Sequence, residues 1–208
     1  MDWVTISALA TAGGTLILAL ATFASVRSAN RAARAAERSL LAGLRPVLMP
    51  TRLHDLPQKV SFFDQHWVTV EGGHAAFEVT EEAIYLVISL RNAGAGIAVL
   101  HGWYFHPDRL AGRERPALKD FRMLTRDLYV PAGDIGFWQG AFRDPNELIF
   151  AAAKNAADAR QAVTVDLLYG DHEGGQRMIS RFGLTPVPNG SWLAAVVRHW
   201  NLDRADPR

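Results

Sequence analysis

The chain reads as a mainly β protein: one N-terminal transmembrane helix and stalk, then a β-sandwich domain with one short inserted helix. Three observations carry this. Residues 3–26 contain no charged side chain. Arginines then recur at helical spacing. From Arg45 onward the apolar residues change to an alternating pattern broken by Gly, Pro and Asp turns. The divisions are 1–26 for the membrane helix, 27–44 for an Arg/Ala-rich helical stalk and 45–208 for the β domain.

The uncharged run, Trp3 to Val26, covers 24 positions. As a helix it is about 36 Å long, enough for a hydrocarbon core of about 30 Å. Val4, Ile6, Leu9, Leu16, Ile17, Leu18, Leu20, Phe23 and Val26 supply its apolar surface, diluted by Ala, Gly13, Gly14 and Thr. A soluble helix apolar on every side needs a large protein around it, and this chain has 208 residues. A cleaved signal peptide wants positive charge before its apolar stretch; here Asp2 precedes and arginines follow. The positive-inside rule then holds the C-terminal side in the cytoplasm and the short N-terminus outside, which makes this a single-pass cell-membrane protein.

Arg27, Arg31, Arg34 and Arg38 advance by four, three and four, so they form one stripe on a helix. Ala29, Ala33, Ala36, Leu40 and Leu44 run along the opposite side. Two readings stay open for the stripe: a solvated face on a stalk, or a contact with anionic headgroups worth about 1 kcal/mol per basic residue. Ala10 with Gly14, and Ala21 with Ser25, are spaced for close helix approach, so a homo-oligomer joins the bilayer among the expected partners.

In the β domain, Ile84–Leu90 is apolar on both faces, as a central strand is. It ends at Arg91-Asn92-Ala93-Gly94-Ala95-Gly96, where the glycines are expected to reverse the chain through positive φ. A second run, Ile97–Phe105, completes a hairpin or a strand–corner–strand unit. Val163–Tyr169 alternates, Gly170-Asp171-His172-Glu173-Gly174-Gly175 turns, and Gln176–Leu184 returns as a second hairpin. Weaker strands are Val47–Leu53, Trp67–Val70 and Ile135–Phe142. Asp144-Pro145-Asn146-Glu147 has the order of a capping box and opens a helix running to Ala159. Residues His106–Asp127 read as a long surface excursion. Ser191–Trp200 fits either a helix or a strand, and the tail from Asp203 should fray.

Together with Val130-Pro131-Ala132-Gly133 and Leu168-Tyr169-Gly170-Asp171 ahead of Gly174-Gly175, the Arg91–Ala98 segment resembles the strand-and-turn order of immunoglobulin-like bacterial domains. With its N-terminal helix, the chain is similar to single-pass membrane proteins common in actinobacteria. The resemblance implies an immunoglobulin-like sandwich and no activity, because fold alone does not carry function.

Charge is distributed unevenly. Residues 1–26 carry only Asp2, residues 27–45 hold five arginines against Glu37, a net +4, and residues 46–208 have 17 basic and 19 acidic side chains, a net −2. A near-neutral domain lacks the basic face that nucleic acid requires. With no cysteine, thiolate catalysis and Cys-ligated zinc are excluded. The seven histidines form no metal-binding spacing. His172, between Asp171 and Glu173, reads as a polar hairpin turn. His101 and His106, five apart, should face opposite sides of a strand. No phosphate-binding glycine loop or nucleophile elbow occurs, so neither a cofactor nor an enzyme is expected.

The leading functional expectation is a membrane-anchored, non-enzymatic interaction or scaffold protein. Two alternatives stand beside it: a tethered sensor binding a small ligand among Trp103, Tyr104, Phe105, Phe137 and Trp138, and an exported, externally anchored domain.

Overall fold

The computed structural model describes residues 2–109, 114–188 and 190–203; the side chains of Thr5, Ala10 and Ala42 are not included. The expected Ala10–Gly14 approach and most of the frayed tail therefore lie outside the described residues. The chain divides into two compact units, residues 1–43 and 44–208.

The first unit is a single helix, α1 (Trp3–Gly43), running without a break through the predicted span and stalk. Among its described apolar side chains, Leu9, Leu16, Ile17, Leu18 and Phe23 are each more than 60% exposed. The helix is long and apolar enough to cross a membrane, with a mean hydropathy of 1.8 in its most apolar window. Its hydroxyls are satisfied internally. Ser7 donates to the Val4 carbonyl, Thr11 to Ser7, Thr15 to Thr11 and Thr22 to Leu18, at 2.8–2.9 Å. Back-bonding of this kind lowers the cost of polar groups in an apolar medium.

The second unit is mainly β. Its strands are β1 (Leu48–Pro50), β2 (Gln58–Ser61), β3 (Trp67–Val70), β4 (His74–Val79), β5 (Ile84–Asn92), β6 (Ala98–His106), β7 (Arg122–Val130), β8 (Ile135–Phe142), β9 (Val163–Asp171), β10 (Arg177–Pro186) and β11 (Trp192–Asn201). A 3₁₀ turn (Leu118–Asp120) precedes β7, and α2 (Leu148–Asp158) follows β8. Nine strands form one curled antiparallel sheet in which the hydrogen-bonded path runs β5-β4-β11-β10-β9-β6-β7. Strand β1 extends β4's side of β5, and β8 pairs with the other side. Strands β2 and β3 form a separate hairpin.

Alternation explains the layering. Ile84, Leu86, Ile88 and Leu90 of β5 point into the curl, where they meet Leu100, Trp103, Trp138, Val165, Leu167 and Phe182. Each such fully buried side chain contributes about 1.5–3 kcal/mol. Tyr85 and Val87 point outward and are covered by Val60, Phe62, Val68 and Val70 of the β2–β3 hairpin. On the far side, Phe121 covers Leu168, Ile179 and Trp200. Both faces of β5 and β9 are thus buried, which accounts for their nearly continuous apolar sequence.

Several expectations are corrected. Of the two arrangements expected around residues 91–98, the strand–corner–strand unit forms and the hairpin does not, because β6 pairs with β7 and β9 and not with β5. Gly94 and Gly96 do not have positive φ. They are glycines because a Cβ would stand 2.3 Å from the Arg45 carbonyl and 1.8 Å from the Leu44 carbonyl, respectively. Gly170 lies inside β9; Gly174 (φ 75°) and Gly175 form the turn, where the Gly175 N–H donates to Asp171 Oδ1 at 2.9 Å. The capping box does not form. Asp144 closes a turn onto the Asn146 N–H at 2.9 Å, and α2 begins four residues later behind Glu147, which makes no side-chain cap. Within the supposed surface excursion, residues from Arg122 onward belong to β7. Ser191–Trp200 is essentially strand β11.

Candidate binding cleft

The curled sheet stops one ladder short of closure. Strands β7 and β8 are consecutive and joined by a tight turn in which the Asp134 N–H donates to the Pro131 carbonyl at 3.2 Å. They are close at that end, where Gly136 sits against the Val130 side chain. Among the described residues no ladder pairs them: β7 bonds only β6, and β8 only β5. Asn92 wedges the closed end. Its side-chain NH₂ donates to the carbonyls of Gly96 (2.6 Å) and Val130 (3.0 Å) while its Oδ1 accepts the N–H of Val47 and Gly94. Its own main chain bonds Gly133 and Asp134.

Toward the other end the two strands part around a cleft of about 550 Å³. Its walls come from β7 (Arg122, Leu124, Arg126, Leu128), from β8 (Gln139, Ala141) and from the β2–β3 turn (Phe62, Phe63), with Trp103 reaching it from the core. A large bulge opens the β7 wall. Leu100 pairs with Leu128 and Gly102 with Met123, so four β7 residues, Leu124–Asp127, stand opposite His101 alone. The same bulge gives β6 one extra residue against β9. It also overturns the expected facing of the histidines. Leu100 and Trp103, three apart, both enter the core. His101, beside Gly170, and His106, bonded to Asp166, therefore share the outer face.

Three arginines line the cleft and no carboxylate does. Arg122 pairs with Glu147 and lies over Phe142 and Trp103, 5.1 and 5.8 Å from the ring centroids. Arg143 pairs with Asp64 at 3.2 Å and covers Tyr85. Burial works against ionisation of Asp64, but the Tyr85 hydroxyl, the His66 N–H and Arg143 outweigh it and hold the carboxyl below its ordinary range. Burial, reinforced by Asp64, raises the Tyr85 phenol. Arg126 differs: its acceptor is the neutral Gln139 Oε1 at 2.8 Å. Met123 (63% exposed) and Phe63 (99%) add apolar surface at the rim. Among the described residues, no His, Asp or Glu lines the cleft.

The residues singled out from sequence disperse. Arg27, Arg31, Arg34 and Arg38 are exposed along α1. Trp103, Phe105 and Trp138 are core residues, and Phe137 packs under the β2–β3 hairpin; of the aromatic group only Trp103 touches the cleft. Sequence reading missed Arg122 and Arg126, which lie in a strand too polar to stand out, and Arg143, which follows the end of β8. It also missed two polar clusters. Arg181 holds Asp166 on the outer face, and Tyr169 shares a hydrogen bond with Ser180 (2.8 Å), which meets His199 Nδ1 at 2.6 Å. The serine–imidazole pair is not an accessible nucleophile, since Ser180 is 0% exposed and its hydroxyl also bonds a buried phenol.

No family model, no curated protein and no solved structure matches this chain.

Proposed function

We propose that this protein is a membrane-anchored, non-enzymatic interaction module, with α1 crossing the bilayer and the β domain in the cytoplasm. The open, arginine-lined seam between β7 and β8 carries the reading: it is a concavity of about 550 Å³ beside a packed apolar core. The arginines after Val26 support the orientation. At finer grain we read the curl as an immunoglobulin-like sandwich. Ring contacts between its two halves, Phe105 with Phe142 at 5.5 Å and Phe77 with Phe105 at 6.0 Å, support that arrangement.

A photoreactive residue at Thr125 in the full-length protein tests the function in intact cells. Discrete adducts with another protein are the expected result. A protein that crosslinks to nothing, or only to itself, removes the interaction reading. A reporter after Arg208 tests the orientation, which external activity would refute.

The cleft volume favours one second reading. About 550 Å³ lies within the roughly 300–1,000 Å³ of small-molecule pockets, which suits a tethered sensor. Protection of the cleft by a metabolite extract after removal of all protein would favour it.

A further inference from the structure

We propose that the β7–β8 seam is a strand-acceptor site for an extended, acidic segment of a partner protein, which adds to the sheet by its main chain and presents a carboxylate to Arg126. The proposal rests on reading the chain as an interaction module and names the chemistry of its partner. Strand β8 is bonded to β5 on one side only, so every second residue directs its N–H and C=O toward the seam. Across the seam, Leu124–Asp127 have no partners in β6. Midway along the cleft the side chain of Arg126 bridges the gap to Gln139. Two half-paired edges flanking a cleft form the geometry that takes up an added strand, where main-chain bonds give affinity and alternate side chains give specificity.

Charge selects the segment. Three arginines and no acid line the cleft, but Arg122 and Arg143 already hold Glu147 and Asp64. Among the described residues no carboxylate pairs with Arg126. Exchanging its neutral amide acceptor for a carboxylate turns an ordinary hydrogen bond into a charge-assisted one. Leu124, Leu128 and the exposed Met123 and Phe63 offer apolar contact beside it. The fitting segment alternates acidic with β-branched or aromatic residues. A free anion such as phosphate would use Arg126 but neither strand edge.

The test uses the full chain in lipid nanodiscs and a randomised decapeptide display library. Retained peptides should be enriched in Asp or Glu alternating with apolar residues. The best of them should slow amide exchange in 124–127 and 135–142. Arg126→Ala should weaken it about tenfold or more, the scale of one charged hydrogen bond. Gln139→Glu, which supplies Arg126 with an internal carboxylate, should weaken it similarly without removing the arginine. A library that retains nothing, retained peptides without acids, or unchanged affinity in both variants overturns the proposal. Full displacement by millimolar inorganic phosphate does so too, marking a small-anion site instead. Adducts from Thr125 with an empty library would sink the strand-acceptor site alone; no adducts and no peptides sink the interaction module as well.

Discussion

Arg181 grips Asp166 through two parallel hydrogen bonds, Nε to Oδ1 and Nη2 to Oδ2, each at 2.8 Å. The arginine is 3% exposed and the aspartate 0%. His106 Nε2 shares Oδ2 at 3.0 Å, and the guanidinium lies over Trp200 at 4.9 Å from the ring centroid. Removing one member strands the other charge away from water. Arg181→Met should therefore cost about 3–5 kcal/mol, and Arg181→Met with Asp166→Leu should recover most of that loss. Urea unfolding of the solubilised full chain, followed by tryptophan fluorescence, measures both. A double variant no more stable than the single would show that the pair itself, and not the orphaned charge, sets the cost.

Asn92 ties the corner before β6 to the β7–β8 turn. Its side chain serves two donors, Val47 and Gly94, and two acceptors, Gly96 and Val130. Asn92→Ala leaves all four without their partner, at about 1–3 kcal/mol for each group that water does not reach. Asn92→Asp keeps the acceptor and loses both donations, setting a carboxylate against two carbonyls. We expect both variants to unfold at lower urea, with Asn92→Asp the worse at neutral pH. Equal midpoints would refute the assignment of amide orientation.

Stability should fall in two stages on acidification. Burial is the main cause of a lowered pKa at His101, with Arg177 adding to it and Asp127 opposing. The folded chain thus binds fewer protons there than the unfolded chain, whose imidazole titrates near 6.5. The His101 contribution is complete above that pH and is lost as pH drops through the lower folded value. Asp203 acts further down. Its hydrogen bond from Arg177 lowers the carboxyl below 3.8, so its contribution is present above 3.8 and lost as pH falls through the folded value. His101→Gln should flatten the first stage only, and Asp203→Asn the second only, in melting temperatures taken across pH 7 to 3.

Legibility from sequence followed burial. Strands buried on one face or both, such as β5, β8 and β9, write their pattern in apolar residues and were located closely; β3 and β8 match to the residue. Strand β7 was invisible because only Val130 of its nine residues is buried, so Arg122–Tyr129 reads like a loop. Strands β2 and β4 are short and flanked by turns. The arginine cleft stayed hidden for a related reason: its three cations are 4 and 17 residues apart and meet only because the sheet curls. The misassigned histidine facing came from a β-bulge, which shifts a two-residue period by one and leaves no mark in the sequence.

The proposed membrane crossing by α1 can be tested through the helix's modest hydrophobicity. Its large apolar residues are diluted by Ala, Gly and Thr, so insertion is favourable without a wide margin. Ile17 lies near the middle of the uncharged stretch and is 69% exposed. Arginine at a helix centre costs about 2.5–3.5 kcal/mol on an insertion scale. Ile17→Arg should release a large share of the full-length protein from membranes washed in alkaline carbonate. Ala36→Arg, on the already arginine-bearing stretch, should release none. In the orientation proposed above, Arg27, Arg31, Arg34 and Arg38 supply the charge that keeps the following domain inside; with all four replaced by Gln, a reporter after Arg208 should divide between the two sides. If Ile17→Arg partitions as the parent does, lipid is not the solvent of this helix, and the anchor fails with it.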